Sequence, residues 1–285
     1  MALSQFKPTL WSRRFIVNTD KALVARQIVD TSYQGEIQSG QVLKINEIGD
    51  IDVSSYNSTG GVTWQDLADA QKELVIDQKK YFAFAVDDVD AAQMNVSVMD
   101  GAMQKAAFSV ADEIDQHILG QYTEAGITNS TNLGDSSTGL DLSATDMADL
   151  LTYMMRYLKE ESAIGRPWAV VPPWFMQLLL HSTAVYGSGR LDAPNSPALN
   201  GGPVPAMGFD FYESNNVQVD STNSEYAIMF GTRDAIAYAG QLSKIEAVRR
   251  EDYFSDGMRG LYIYGSKVVR PDHLGVVYAN FNSTT

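Results

Sequence analysis

The chain of 285 residues contains no cysteine. Disulfides, thiol nucleophiles and cysteine-based metal sites are excluded at once, and no oxidising compartment is required. Histidine is scarce: only His117, His181 and His273 occur, none at metal-ligand spacing from another or from a paired carboxylate. No run approaches the roughly 20 apolar residues that span a bilayer. The opening MALSQFKPTLWSRRFIVNTD lacks the apolar stretch of a signal peptide. The expectation is a soluble chain made in the cytoplasm, with no membrane partner. Positive charge is short as well, with 21 Lys and Arg against 35 Asp and Glu, a net charge of −14. Such a body repels phosphate backbones, so contact with nucleic acid is expected to be weak and non-specific. Also missing are G-x-S-x-G, a phosphate-binding loop, a dinucleotide fingerprint and any internal repeat. Gly187-Ser188-Gly189 reads as plain flexible loop.

What is present begins with 45% hydrophobic residues, enough for a sizeable core. Charge is unevenly placed. Residues 1–30 hold five basic and two acidic side chains, and the remainder holds 16 basic and 33 acidic. The basic, aromatic-bearing start (Phe6, Leu10, Trp11, Arg13, Arg14, Phe15) reads as an arm whose large apolar groups need a surface to bury them.

A long polar excursion follows. Leu43 and Ile45 alternate, as do Ile51 and Val53; Tyr56 to Gly61 is a loose tip. After Trp64 a second extended run covers Leu74 to Ile76 and Tyr81 to Val86, with Phe82, Phe84 and Val86 on one face. This two-stranded excursion is too thin in apolar residues for a core of its own, and isolated hairpins are marginal in water. Asp87, Asp88 and Asp90 then suit the positive end of a helix over about Val89 to Tyr122. Its stripe is Met94, Val98, Met103, Ala107, Val110, Ile114, Ile118 and Tyr122.

Residues 125–142 are rich in Gly, Ser, Thr and Asn and mark a boundary. A second helix is expected over Ala144 to Glu161, capped by Ser143 or Thr145. Trp168 to Val171 reads as a short buried strand, and Pro172-Pro173 opens a third helix to His181. Residues 185–208 form a loop with four Pro and five Gly. Strands are then expected at Phe209–Tyr212, Val217–Val219, Tyr226–Phe230, Ile245–Val248, Leu261–Tyr264, Val268-Val269 and Leu274–Ala279, with a short helix near Arg233 to Ala237.

Chemistry is thin. Asp87, Asp88 and Asp90 fit a helix terminus better than a cation site. Glu160 and Glu161, adjacent on a helix, point apart. Tyr153, Met154, Met155 and Tyr157 read as helix core and rim. Arg249, Arg250, Glu251 and Asp252 read as an ion-pair cluster. No catalytic residue, metal ligand or cofactor site is assigned. An acidic α/β hydrolase-like enzyme with a lid at 185–208 would need a nucleophile with a base in reach, and the three scattered histidines do not supply one.

The order of parts (basic arm, long hairpin, long helix, α/β insertion with a loop-rich tip, closing β segment) resembles the major capsid proteins of tailed bacteriophages, which share the Hong Kong 97 fold. The stretches carrying it are LVARQIVDTSYQGEIQSGQVLKINEIGDIDVSSY, FAFAVDDVDAAQ and GLYIYGSKVVRPDHLGVVYA. The resemblance spans nearly the whole chain and implies an α+β fold. Residues 1–32 would be the N-terminal arm, 33–86 an extended hairpin loop, 87–139 a peripheral domain with a spine helix, 140–240 an axial domain, and 241–285 the peripheral return. It implies a structural, non-enzymatic subunit that self-assembles into pentamers and hexamers around packaged double-stranded DNA, in a virion capsid assembled in the host cytoplasm. Portal, scaffolding and decoration or head-completion proteins would be partners. The expected subunit contacts are Trp11, Arg13, Arg14, Trp64, Arg190 and Leu191. Some members cross-link through Lys and Asn; no spacing among Lys44, Lys72, Lys79, Lys80, Asn280 and Asn282 marks such a pair. The alternative on the same fold is the shell of a bacterial encapsulin-type nanocompartment enclosing a cargo enzyme.

Overall fold

The computed structural model describes residues 25–36, 42–48, 53, 69–87, 97–182, 204–220, 225–250 and 255–281. After short 3-10 turns at Ala25–Gln27 and Ser32–Glu36 come β1 (Val42–Ile48), β2 (Asp69–Val75), β3 (Gln78–Asp87), α1 (Ser97–Leu119) and a 3-10 turn to Glu124. Next are β4 (Leu140–Leu142), α2 (Met147–Glu160), β5 (Trp168–Val171) and α3 (Pro173–His181). The chain closes with β6 (Val204–Ala206), β7 (Phe209–Glu213), β8 (Gln218–Val219), β9 (Tyr226–Gly231), β10 (Ile236–Arg249), β11 (Ser255–Val268) and β12 (Leu274–Phe281).

Among the described residues three sheets form. β1 and β2 form an antiparallel pair that runs from Val42 opposite Val75 to Ile48 opposite Asp69. β10, β11 and β3 form a three-stranded antiparallel sheet in that order. The third sheet has seven strands in the order β4-β12-β9-β5-β7-β6, with β8 paired to the start of β9. In it β4–β12 and β5–β7 are parallel. The β5–β7 link passes through α3, as parallel neighbours require a crossover.

The helices form where the apolar spacing places them. α1 buries Met103, Ala107, Val110, Ala111, Ile114 and Ile118 on one stripe. Its core-facing side meets the inward face of the three-stranded sheet: His117 stands edge-on to Tyr264, and Lys80 of β3 pairs with Glu113 at 2.6 Å. α2 buries Met147, Leu150, Leu151, Met154 and Leu158. α3 stacks Phe175 on Phe211 of β7 and sets Trp174 against Tyr226 and Phe281. One core cluster runs through both larger sheets.

Several expectations are corrected. Tyr81 to Val86 is not the return strand of the excursion: β3 pairs with β11, Phe84 opposite Met258 and Phe82 opposite Gly260, and the excursion's own partner strands are β1 and β2. No helix forms near Arg233 to Ala237. Residues 233–234 turn, and Ile236 opens a strand of 14 residues that absorbs the expected Ile245–Val248 segment. Leu261–Tyr264 and Val268 likewise belong to one strand, β11. α2 starts at Met147, later than expected, and Ser143 does not cap it by accepting from its amides. Instead the backbone N–H and the hydroxyl of Ser143 donate to the Asp146 carboxylate at 3.0 and 2.5 Å. Val204 to Ala206, expected as loop, is β6. The expected helix start at Val89 to Val96 lies outside the described residues. β10 runs through position 240, and β12, from the closing segment, sits between β4 and β9.

Candidate assembly surface

Two described stretches anchor the chain where it adjoins residues 1–24 and 49–68. In the first, Ile28 and Val29 are both fully buried. Asp30 then bridges β10: its N–H donates to Ile236 O at 2.9 Å, and Tyr238 N–H donates to its carbonyl at 3.0 Å. Arg233 Nε donates to Val29 O at 3.1 Å. The excursion is rooted as firmly. Leu74 (0% exposed) and Ile76 cluster with Ala237 and Ala239 of β10, flanked by Tyr33, Leu43, Ile45, Ile263 and Val269. Lys72 Nζ donates to Val269 O at 2.6 Å. The opposed pair Val42 and Val75 faces the other way, each nearly half exposed. The hairpin is thus clamped at its base, while residues 49–68 intervene before the chain returns.

The outward face of the three-stranded sheet lies beside that root. Tyr81 is 78% exposed and lies opposite Leu261. Glu246 takes Arg259 in a two-pronged contact, Nε at 2.9 Å and Nη2 at 2.6 Å, and also pairs with Lys244. Hydrogen bonds from Lys244 and then Arg259 hold its carboxyl below the ordinary range. Toward the far end, Ala83, Phe84, Ala85, Val248, Arg250, Gly257, Met258 and Arg259 line an open groove of about 350 Å³. Among the described residues no further strand pairs with the outer edge of β3. An unpaired edge and a broad face are what a second chain can use. Phe108 of α1 adds a ring that is 65% exposed.

A family model described as phage capsid protein matches residues 71–279, most of the chain. The chain belongs to the phage capsid protein family. No curated protein matches it in sequence. The capsid protein is similar in structure to a solved chain from Mycobacterium phage Che8, 26% identical, with a TM-score of 0.71 over 90% of this chain and 91% of that one. It is also similar to the capsid structure of the cyanophage P-SCSP1u (17% identical, TM-score 0.65, 86% and 85% covered). The mature capsid of bacteriophage PhiM1 is a third likeness, at 13% identity and TM-score 0.63 over 85% and 83%. The fold is of the Hong Kong 97 type. The capsid protein is a structural subunit that assembles with copies of itself, and its place is the virion capsid.

The capsid protein's expected contact residues Trp11, Arg13, Arg14, Trp64, Arg190 and Leu191 all lie outside the described residues, as do the tip at 56–61 and residues 183–203. His117 packs on Tyr264, and His273 is paired. Burial lowers the pKa of His117, Asp77 opposes that, and Lys80 adds to it. His181 ends α3. His273 pairs through Nδ1 with Asp234 at 3.0 Å. Among the described residues no three His, Asp or Glu side chains gather as a metal would need, and no helix is long and apolar enough to cross a membrane.

Sequence reasoning missed the Asp234–His273–Arg270 cluster and the buried Tyr238–Tyr262 hydroxyl pair at 3.1 Å. The partners lie 24 to 39 positions apart.

Proposed function

We propose that this capsid protein builds a closed icosahedral shell of pentamers and hexamers around packaged double-stranded DNA, assembling in the host cytoplasm and catalysing no reaction. The observation supporting the reading is the family match joined to the two rooted segments, Ile28–Asp30 and β1–β2, which are fixed to the body at β10. Residues 1–32 act as the arm, 33–86 as the hairpin segment with its root at β1–β2, 87–139 and 241–285 as the peripheral part, and 140–240 as the axial part. Trp11, Arg13 and Arg14 of the arm, Trp64 of the hairpin, and Arg190 and Leu191 of the axial loop make the subunit contacts. Each contact removes modest apolar area at about 25 cal/mol per Å², and repetition by symmetry makes the sum large. Net charge keeps DNA contact weak. A portal, a separate scaffold and decoration or head-completion proteins complete the partner set.

Deleting residues 56–64 tests the role. The root of the hairpin lies outside that stretch, so the variant keeps its circular dichroism and cooperative melt but forms no closed particles under negative stain. Normal particles from it would refute the assembly role. Nothing observed favours the encapsulin-type shell, in which a neighbouring cargo-enzyme gene would replace portal and terminase genes.

A further inference from the structure

The chain passes between the three-stranded and seven-stranded sheets three times: after α1, from β9 to β10, and from β11 to β12. The second and third crossings meet at one carboxylate. Asp234, in the second, accepts from Arg270 Nη1 at 2.8 Å and pairs with His273 Nδ1 at 3.0 Å, both partners lying in the third. Its other oxygen accepts from Thr232 Oγ1 at 2.5 Å. Backbone bonds run alongside. Thr232 N–H donates to His273 O at 3.1 Å, and the N–H groups of Val269 and Arg270 both reach Ala235 O, at 2.8 and 3.2 Å. The first crossing joins through Gly126 N–H to Pro271 O at 2.9 Å and Ile127 N–H to Leu274 O at 3.0 Å. The arm's end is tied in by Arg233 on Val29 O. The crossings therefore form one hydrogen-bonded joint.

An exposed ion pair contributes little to stability. This one differs in what it connects. Its partners lie 36 and 39 residues away in sequence, on the opposite crossing, and His273 is only 13% exposed. The apolar core is continuous across the joint, so the freedom at stake is a small bend between sheets, not separation. We propose that Asp234 is the fastener that sets the angle between the two sheets: while Arg270 and His273 grip it the angle is held, and releasing it lets the angle change. The use of such a fastener rests on the shell reading, since copies at non-equivalent positions need slightly different body angles; the joint itself does not.

Amide hydrogen exchange on the unassembled full-length chain tests it. Asp234→Asn and, separately, Arg270→Gln are expected to speed exchange about tenfold or more at the N–H groups of Thr232, Val269, Arg270 and His273. The sheet-interior amides of Val170, Met229 and Tyr262 should stay as slow as in the native chain. Selective acceleration in at least one variant supports the joint. Unchanged or uniformly faster exchange in both overturns it. Negative-stain imaging of the native chain runs beside this: failure to form closed particles there sinks the shell reading and leaves the joint standing.

Discussion

Asp234 shows how a single side chain answers to opposing forces. Burial alone would push its pKa up. Hydrogen bonds from Thr232 and His273, with the charge of His273, outweigh that, and the carboxyl sits below its ordinary 3.8. A depressed carboxylate adds stability that is fully present above its unfolded pKa and is lost as pH falls through the folded value. The groups around it are Thr232 and Arg233 on its own turn and Arg270 and His273 on the facing one. The native chain should therefore lose protection of the joint amides selectively at acid pH, below the ordinary carboxylate range. Asp234→Asn should show no such step, and exchange measured against pH distinguishes them. None of this was legible in the sequence. Arg270 and His273 lie 36 and 39 residues from Asp234, and no local pattern says which distant carboxylate they will meet. By contrast Met103, Ala107, Val110, Ile114 and Ile118 were read correctly, because helical spacing alone fixes which side is buried.

Covered strands were legible when they were short apolar runs, as β5 and β9 are, but not in β10. β7 alternates and was found. β10 begins with Ile236, Ala237, Tyr238 and Ala239, all buried. The inner side meets the main core, and the outer side lies under Leu74 and Ile76 of the hairpin root. With both faces covered the period of two disappears, and a run of Ala and Ile read as a helix. β3 failed for another reason: alternation gives the face of a strand but not its partner, so Phe82 and Phe84 were assigned to the excursion instead of to β11. The root itself is tight. A Cβ at Gly265 would stand 2.2 Å from the Val75 carbonyl oxygen and 2.9 Å from Ile76 Cα, both backbone. Gly265→Ala must displace β2, at a cost of about 1–3 kcal/mol typical of overpacking. A lower urea midpoint with an unchanged slope is the expected result; an unchanged midpoint would show that the root is loose.

At the scale of the molecule, charge decides how copies approach. A subunit of net charge −14 repels its neighbours, yet its first 30 residues are basic. If that arm lies on an acidic neighbour, salt weakens the attraction within a screening length of about 10 Å at 0.1 M. Light scattering should then show the assembly concentration rising with salt for the native chain. Removal of residues 1–24 should reverse the trend, because only repulsion remains to be screened. The order of parts was enough to suggest the family; the docked ends of arm and hairpin depend on contacts across the whole chain and were not.

Three covalent passages link the two larger sheets, so neither sheet is a contiguous stretch of sequence. One proteolytic nick anywhere leaves both halves tethered by intact chain. Tension pulling them apart is divided among parallel strands instead of loading a single linker, a useful property for a container wall under internal pressure.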